Sequence, residues 1–303
     1  MGKKLPYHDK ASKIISYLES RNTSFAYCFL TLFFVINLRN LLEVFSDSMP
    51  FRLDLLLHYN LSYLSIGLSI AIIFYLVTKN SFLNIFKVVS TGFFVILLAP
   101  IIDLILTSGK GSNISYLLPG VHTELFWRYL TFGGDFPGIG ITLGMRIEVL
   151  LIMIGSYIYF RYKGQDIIKG ILSSLAIYTV IFCYSVLPFI LSGIFSLLGL
   201  KLELTDAIFF KTYLLLISFQ LILLAWICRR REFVVLVKDI RLMRLSHFLL
   251  MFFLGAIIAV KTEAPILSPE VYLFSLVIVP FSIITGGIYS IIVNNIEDYR
   301  IDI

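Results

Sequence analysis

Eight stretches of this sequence are each apolar over about the length of a bilayer crossing, and that repetition restricts the chain more than any other feature. A helix needs about 20 mostly apolar residues to cross the hydrocarbon. Within lipid, only helices and closed barrels satisfy their own backbone polar groups. The stretches cover 25–45, 59–77, 86–106, 141–160, 171–198, 207–227, 246–260 and 271–293. Across 303 residues the composition is 58% hydrophobic and 15% charged, with a mean hydropathy of +0.91. No water-soluble core hides that much apolar surface. The expected fold is all-α: a polytopic helical membrane protein with about eight transmembrane helices. The seventh stretch is short, the first carries Arg39 and Glu43, and the break at 198–207 fits either a loop or a re-entrant bend.

Basic residues set the orientation, because cytoplasmic loops of inserted proteins are enriched in Lys and Arg. Counted through alternating loops, one side receives seventeen, from Lys3 and Lys4 through Arg229, Arg230 and Arg231 to Arg300. The other receives five: Arg52, Lys110, Arg128, Lys201 and Lys261. This asymmetry predicts an even number of spans with both termini cytoplasmic, which in a prokaryote means the plasma membrane. The net charge of +6 is therefore a topology signal, suited to anionic headgroups, and no nucleic acid is implied as a partner. Four parts follow: a cytoplasmic segment over 1–24 with a short amphipathic surface helix, a six-helix domain over 25–228, a basic cytoplasmic connection over 229–245, and a final pair of helices over 246–303. The basic start leads into a run long enough to remain as an anchor, so no cleaved signal is expected.

Cys28, Cys183 and Cys228 fall in three different spans, without the spacing of a disulfide frame or a zinc knuckle. His8, His58, His122 and His247 are equally scattered and predict no metal cluster. The glycine-rich stretch 133–144 lacks the Lys-Ser/Thr ending of a phosphate-binding loop. Irregular backbone near the membrane surface is the simpler account.

Charges within a span are costly, so they face a bundle interior or a cavity and find partners. Arg39, Glu43, Asp103, Arg146 and Glu148 form such a set. Arg39 and Glu43 stand at helical i, i+4 spacing, and Asp103 with Arg146 is a candidate pair. Two readings stand. One is a polar cavity open to the outside, roofed by the loop over 107–140 with His122, Glu124, Trp127, Arg128 and Asp135. The other is a structural ion pair beneath an ordered surface loop.

The chain ends NNIEDYRIDI, straight after an apolar run. If the last helix continues, Asn294, Asp298 and Asp302 lie at i, i+4 and i+8 on one face. The orientation count puts this oxygen-rich strip at the cytoplasmic surface. Oxygen ligands at such spacing suit Mg²⁺, which is commonly held by one or two carboxylates with substrate phosphates completing its shell.

The string Asn294, Asn295, Asp298 and Asp302 resembles the first aspartate-rich motif of the UbiA superfamily of intramembrane prenyltransferases, written N-D-x-x-D-x-x-x-D. The order before it is similar to that family's as well: a basic approach, a first helix, a short loop, and a second helix ending in the motif. The resemblance covers about 239–303. It implies Mg²⁺ held by Asp298 and Asp302 with Asn294 assisting, a prenyl diphosphate as donor, and transfer of the prenyl group to an aromatic or lipid acceptor among the membrane lipids. Asn295 stands where the family has aspartate, and the family's second aspartate-rich motif has no counterpart here. The expectation is therefore a truncated frame or a split gene, with a second chain completing the prenyltransferase domain. The alternative function is a transporter or carrier-type membrane protein, with the five intramembrane charges lining a path.

Overall fold

The computed structural model describes residues 7–45, 50–111, 116–117, 122–134, 141–197, 204–239 and 242–261, with 278–280, 282–287, 289–290 and 293 beyond them. It divides into two compact units, Met1–Gln220 and Leu221–Ile303. Among the described residues every regular element is helical. Six helices are long and apolar enough to cross a membrane: Phe25–Phe45, Leu53–Thr78, Phe82–Leu106, Leu143–Tyr162, Ile167–Ser185 and Asp206–Cys228. The protein is thus a multi-pass helical membrane protein.

In the first unit, α1 (Tyr7–Ser20) is the short amphipathic helix, and α2 (Phe25–Phe45) and α3 (Leu53–Thr78) are unbroken spans. The third span is built from α4 (Phe82–Gly92), a 3₁₀ segment (Phe93–Leu97) and α5 (Leu98–Leu106). Pro100 supplies no N–H to the Ile96 carbonyl and crowds it, which accounts for the tightened turn ahead of it. A surface helix, α6 (His122–Leu130), precedes α7 (Leu143–Tyr162) and α8 (Ile167–Ser185). The α8 axis is interrupted at Val186 and resumes as α9 (Leu187–Leu197), whose second residue is Pro188. α10 (Asp206–Cys228) runs across the division between the units. α3 packs against α2, α4, α7 and α8, while α7 lies against α5 and α8.

The helices are arranged for a lipid solvent. On α2, Phe25, Phe29 and Phe33 repeat at four-residue spacing and are exposed, while Cys28, Leu32, Val35, Ile36, Arg39, Asn40 and Glu43 are buried. Charged and amide groups therefore occupy the protein side of a helix whose other side is aromatic. α7 and α8 likewise expose Leu150, Ile154, Ile158, Ile168, Ile171 and Leu172. A soluble protein would invert that distribution, whereas hydrocarbon rewards it.

One end of the first unit is fastened by Glu19, near the end of α1. Its Oε1 accepts from Asn80 Nδ2 at 2.9 Å and Tyr159 Oη at 3.1 Å, and its Oε2 pairs with Lys163 Nζ at 2.6 Å. Buried Lys87 donates to the carbonyls of Glu19 and Arg21 at 3.0 and 2.6 Å, satisfying groups that the end of α1 leaves open. The amphipathic helix is thereby tied to α4, to α7 and to the α3–α4 turn, whose Lys79 caps α3 in the left-handed conformation.

The second unit contains the end of α10, the amphipathic α11 (Arg230–Asp239) and α12 (Leu242–Lys261). Arg230 lies 5.2 Å over the Trp226 ring, and Phe233 meets that ring edge-on at 5.6 Å. α12 exposes Phe248, Leu250, Met251, Leu254, Ile257 and Ile258. Of the eighth expected stretch, residues 271–277, 281, 288 and 291–292 lie outside the described residues.

Candidate functional site

A cavity of about 100 Å³ lies within the first unit, walled by α3, the 3₁₀ segment, α7, α8 and the residues around Tyr116 and Phe132. Most of its wall is carbon, from Ile66, Ile70, Phe93, Ile96, Ile152 and Phe182 among others. The polar contributors are Tyr59, Ser62, Tyr63, Tyr116, Arg146, Glu148, Tyr184 and Ser185. The expected polar cavity is thus an apolar chamber with a limited polar lining. Both helix interruptions border it, through Phe93 and Ile96 on one and Ser185 on the other. The Ser185 carbonyl accepts the Leu117 N–H at 2.8 Å, which holds a short strap across the end of α8. Leu117 is buried against Tyr178, Phe182 and Val186, with Leu125, Tyr129, Phe132 and Ile141 packed around them. Gly133, at the start of the glycine-rich stretch, turns at φ +82°, and a Cβ there would lie 2.4 Å from the Ile141 side chain; residues 135–140, with Asp135, lie outside the described residues.

Arg146 and Glu148 are placed on the wall by the way α7 begins. Thr142 caps the helix, its Oγ1 accepting from Met145 N at 3.1 Å. Asp103 Oδ1 accepts from Gly144 N at 3.1 Å. Gly144 permits this approach, since a Cβ would stand 2.4 Å from the Ala99 carbonyl oxygen. Asp103 thereby helps cap α7 from α5. Arg128, expected in the roof, is buried and pairs with Glu124 within α6, whereas Trp127 is exposed.

Glu148 is 8% exposed, its Oε2 has no hydrogen-bond partner, and it lies within electrostatic range of Arg39, Glu43 and Asp103. Arg39 is only 1% exposed. Its guanidinium stands 3.5 Å from Glu43 Oε1 and 4.4 Å over the Tyr63 ring, yet none of its three nitrogens makes a hydrogen bond. Of the five intramembrane charges, Arg146 and Glu148 reach the cavity wall, while Arg39 and Glu43 stand behind Tyr63 and Glu148.

A second polar system, absent from the expectations, meets the same cavity. His58 on α3 is 1% exposed; its Nδ1 lies 3.1 Å from Asp206 Oδ1 at the start of α10, and its Nε2 is hydrogen-bonded to Tyr116 Oη. Tyr59, Tyr116, Phe209 and Tyr213 stack around the ring at 4.7–5.7 Å. Tyr116 Oη is 3.0 Å from Tyr213 Oη. Burial pushes the Tyr116 phenol well above its ordinary value, with Tyr213 acting in the same direction. Asp206 is also held by Arg52 at 3.2 Å. Nearby, Gln220 Nε2 donates to the Ser65 carbonyl, Ser69 Oγ and Tyr184 Oη at 2.7–3.1 Å, tying α10 to α3 and α8. No spacing in the sequence joins His58 to Asp206, 148 positions away.

Asn294, Asp298 and Asp302 lie outside the described residues. Among the described residues, no group of three or more His, Cys, Asp or Glu is placed to hold a metal ion. Comparison with protein-family models, curated proteins and solved structures gives no match for this chain.

Proposed function

We propose that this protein is of the carrier type, its first unit taking a small amphiphilic molecule into a chamber within the membrane. One observation carries the proposal: Glu148 lines an otherwise apolar cavity with a buried carboxylate oxygen that no protein group satisfies. Leaving such an oxygen bare costs about 1–3 kcal/mol or more, a cost that a visiting polar group would remove. Interrupted helices beside the chamber fit the same proposal, because broken spans form binding sites in many transporters and give gating segments a place to bend. Eight spans with both termini cytoplasmic, from the seventeen-to-five distribution of basic residues, complete the proposed topology.

Thiol accessibility tests this without a known substrate. Cys28, Cys183 and Cys228 are replaced by alanine and Met145, on the cavity wall, by cysteine. Oriented vesicles are then treated from either face with a membrane-impermeant methanethiosulfonate-trimethylammonium reagent. A carrier exposes the new thiol to both faces. Labelling from one face only makes the chamber a one-sided binding pocket and overturns the carrier; labelling from neither face overturns both.

A second function rests on the closing decapeptide. The i, i+4, i+8 spacing of Asn294, Asp298 and Asp302 supports a UbiA-like prenyl transfer in which bound Mg²⁺ would draw charge from the departing diphosphate. On that proposal Asp298→Ala and Asp302→Ala each abolish Mg²⁺-dependent binding of a prenyl diphosphate by the complete assembly. Undiminished binding in both variants would remove the site.

A further inference from the structure

We propose that Asp206, His58 and Tyr116 form a proton relay between the aqueous end of the first unit and the chamber carboxyl of Glu148. The directions of the hydrogen bonds follow from the groups themselves. An ionised Asp206 can only accept, so His58 Nδ1 carries the ring proton at their 3.1 Å contact. The other nitrogen of a neutral imidazole is then an acceptor, so Tyr116 donates its one hydroxyl proton to Nε2. Tyr116 Oη consequently accepts from Tyr213 at 3.0 Å. Every donor therefore points the same way, from the Tyr213 hydroxyl through Tyr116 and His58 to the Asp206 carboxylate.

The two ends of this chain lie in different surroundings. The Asp206 side chain is 24% exposed and is held by Arg52, itself 55% exposed, so that end meets water. Ser62 and Tyr116 line the cavity together with Glu148. The chamber's polar lining and volume suffice for ordered water to join them. The charged groups facing His58 are Asp206 from α10, with Arg52 beside it, and Asp54 from its own helix. The remaining neighbours are the rings of Tyr59, Tyr116, Phe209 and Tyr213. Buried chains of Asp, Glu and His with this arrangement are a recurring means of moving protons inside membrane proteins.

In one transfer, a proton leaves Glu148 through cavity water and reaches Tyr116 Oη. As it arrives, the tyrosine's own proton passes to His58 Nε2 and the Nδ1 proton passes to Asp206. The phenol ends as it began, His58 has exchanged one neutral tautomer for the other, and Asp206 gives its proton to water. The reverse sequence loads Glu148 and restores the starting tautomer. Nothing is oxidised or reduced.

The relay deepens the carrier proposal by naming its coupling ion, but its test is separate: both-face labelling of Met145→Cys can fail while the relay holds, and the reverse. The full-length protein in lipid films receives protons from a photoreleased acid, and the carboxyl C=O infrared band removed by Glu148→Gln is followed in time. In wild type this band rises promptly. In His58→Gln, which preserves hydrogen bonding but cannot pass a proton, and in Tyr116→Phe, it rises at least about tenfold more slowly to the same final amplitude and midpoint pH. A residue that merely props the strap would alter the midpoint or the amplitude together with thermal stability. Equal rates in wild type and both variants overturn the relay. So does the absence of any band assignable to Glu148, because the relay would then have no terminus.

Discussion

Two acidic groups of the first unit, half-buried Glu19 and buried Glu148, stand in opposite circumstances. At the end of α1, Glu19 spends both oxygens on Asn80, Tyr159 and Lys163, each contact between 2.6 and 3.1 Å. Deeper in the bundle, Glu148 keeps one oxygen without a hydrogen bond, and neighbouring Arg39 has an ion-pair partner but no hydrogen bond to any of its three nitrogens. Desolvating a charge is repaid only when geometry and hydrogen bonding are good. Glu19 meets that condition and acts as a fastener. The Arg39–Glu148 region does not meet it, and on the carrier proposal its use lies in what enters the chamber.

Substitutions sharpen this contrast, and the largest effect is expected at Arg39. Arg39→Leu leaves Glu43 and Glu148 buried without their shared cation and should cost about 3–5 kcal/mol, read as a lower thermal midpoint in detergent. Glu19→Ala should cost less, about 2–3 kcal/mol, because Asn80, Tyr159 and Lys163 sit near a helix end where water can replace the lost acceptor. If Glu19→Ala proves harmless, it is no fastener.

The double change Arg39→Leu with Glu43→Leu separates the two regions most cleanly. It should recover the part of the loss that comes from Glu43, with Glu148 still lacking the cation, while both-face labelling of Met145→Cys is lost. The matching double change at the other end, Glu19→Leu with Lys163→Leu, should show no such recovery, since the Asn80 and Tyr159 donors stay without their acceptor. Recovery there would erase the distinction between fastener and functional charge.

The smallest effect is expected in the second unit, at Arg229–Glu232, an exposed pair 3.0 Å apart at the start of the charged helix α11. Its hydrogen bonds, first from the backbone and then from Arg229, hold the Glu232 carboxyl below its ordinary value. A depressed carboxylate contributes stability above its unfolded value and loses it as pH falls through the folded one. Exposure and salt screen such pairs, so Glu232→Gln should leave the midpoint unchanged at neutral pH and remove only a slight acid-side dependence. A clear drop at neutral pH would show that this helix matters more than its exposure suggests.

Much of the helical plan was legible in the chain, because a bilayer imposes one simple demand, about 20 apolar residues in a row. The run 25–45 coincides with α2, and the other first-unit runs fall within a few residues of their helices. Where expectation and structure part, the causes are local. The stretch 171–198 is two helices, α8 and α9, because Pro188 cannot extend the hydrogen-bond ladder. The expected domain boundary after 228 follows a change in charge, whereas the division at Gln220 lies within a continuous helix, just after the residue whose amide ties α10 to α3.

The candidate site divides along the same line. Arg39, Glu43, Arg146 and Glu148 are conspicuous in sequence, because an intramembrane charge is costly wherever it falls. Their surroundings are not. That Asp103 caps α7 depends on Gly144 allowing a backbone approach from another helix. That Asp206, His58, Tyr116 and Tyr213 are hydrogen-bonded in series depends on helices and a strap meeting across more than a hundred positions. Hydropathy is a sum over neighbours in the chain, so the sequence by itself determined the solvent, the spans and the charges that needed partners. Hydrogen-bond direction and cavity shape depend on neighbours in space, and only the tertiary structure decided which of those charges were satisfied.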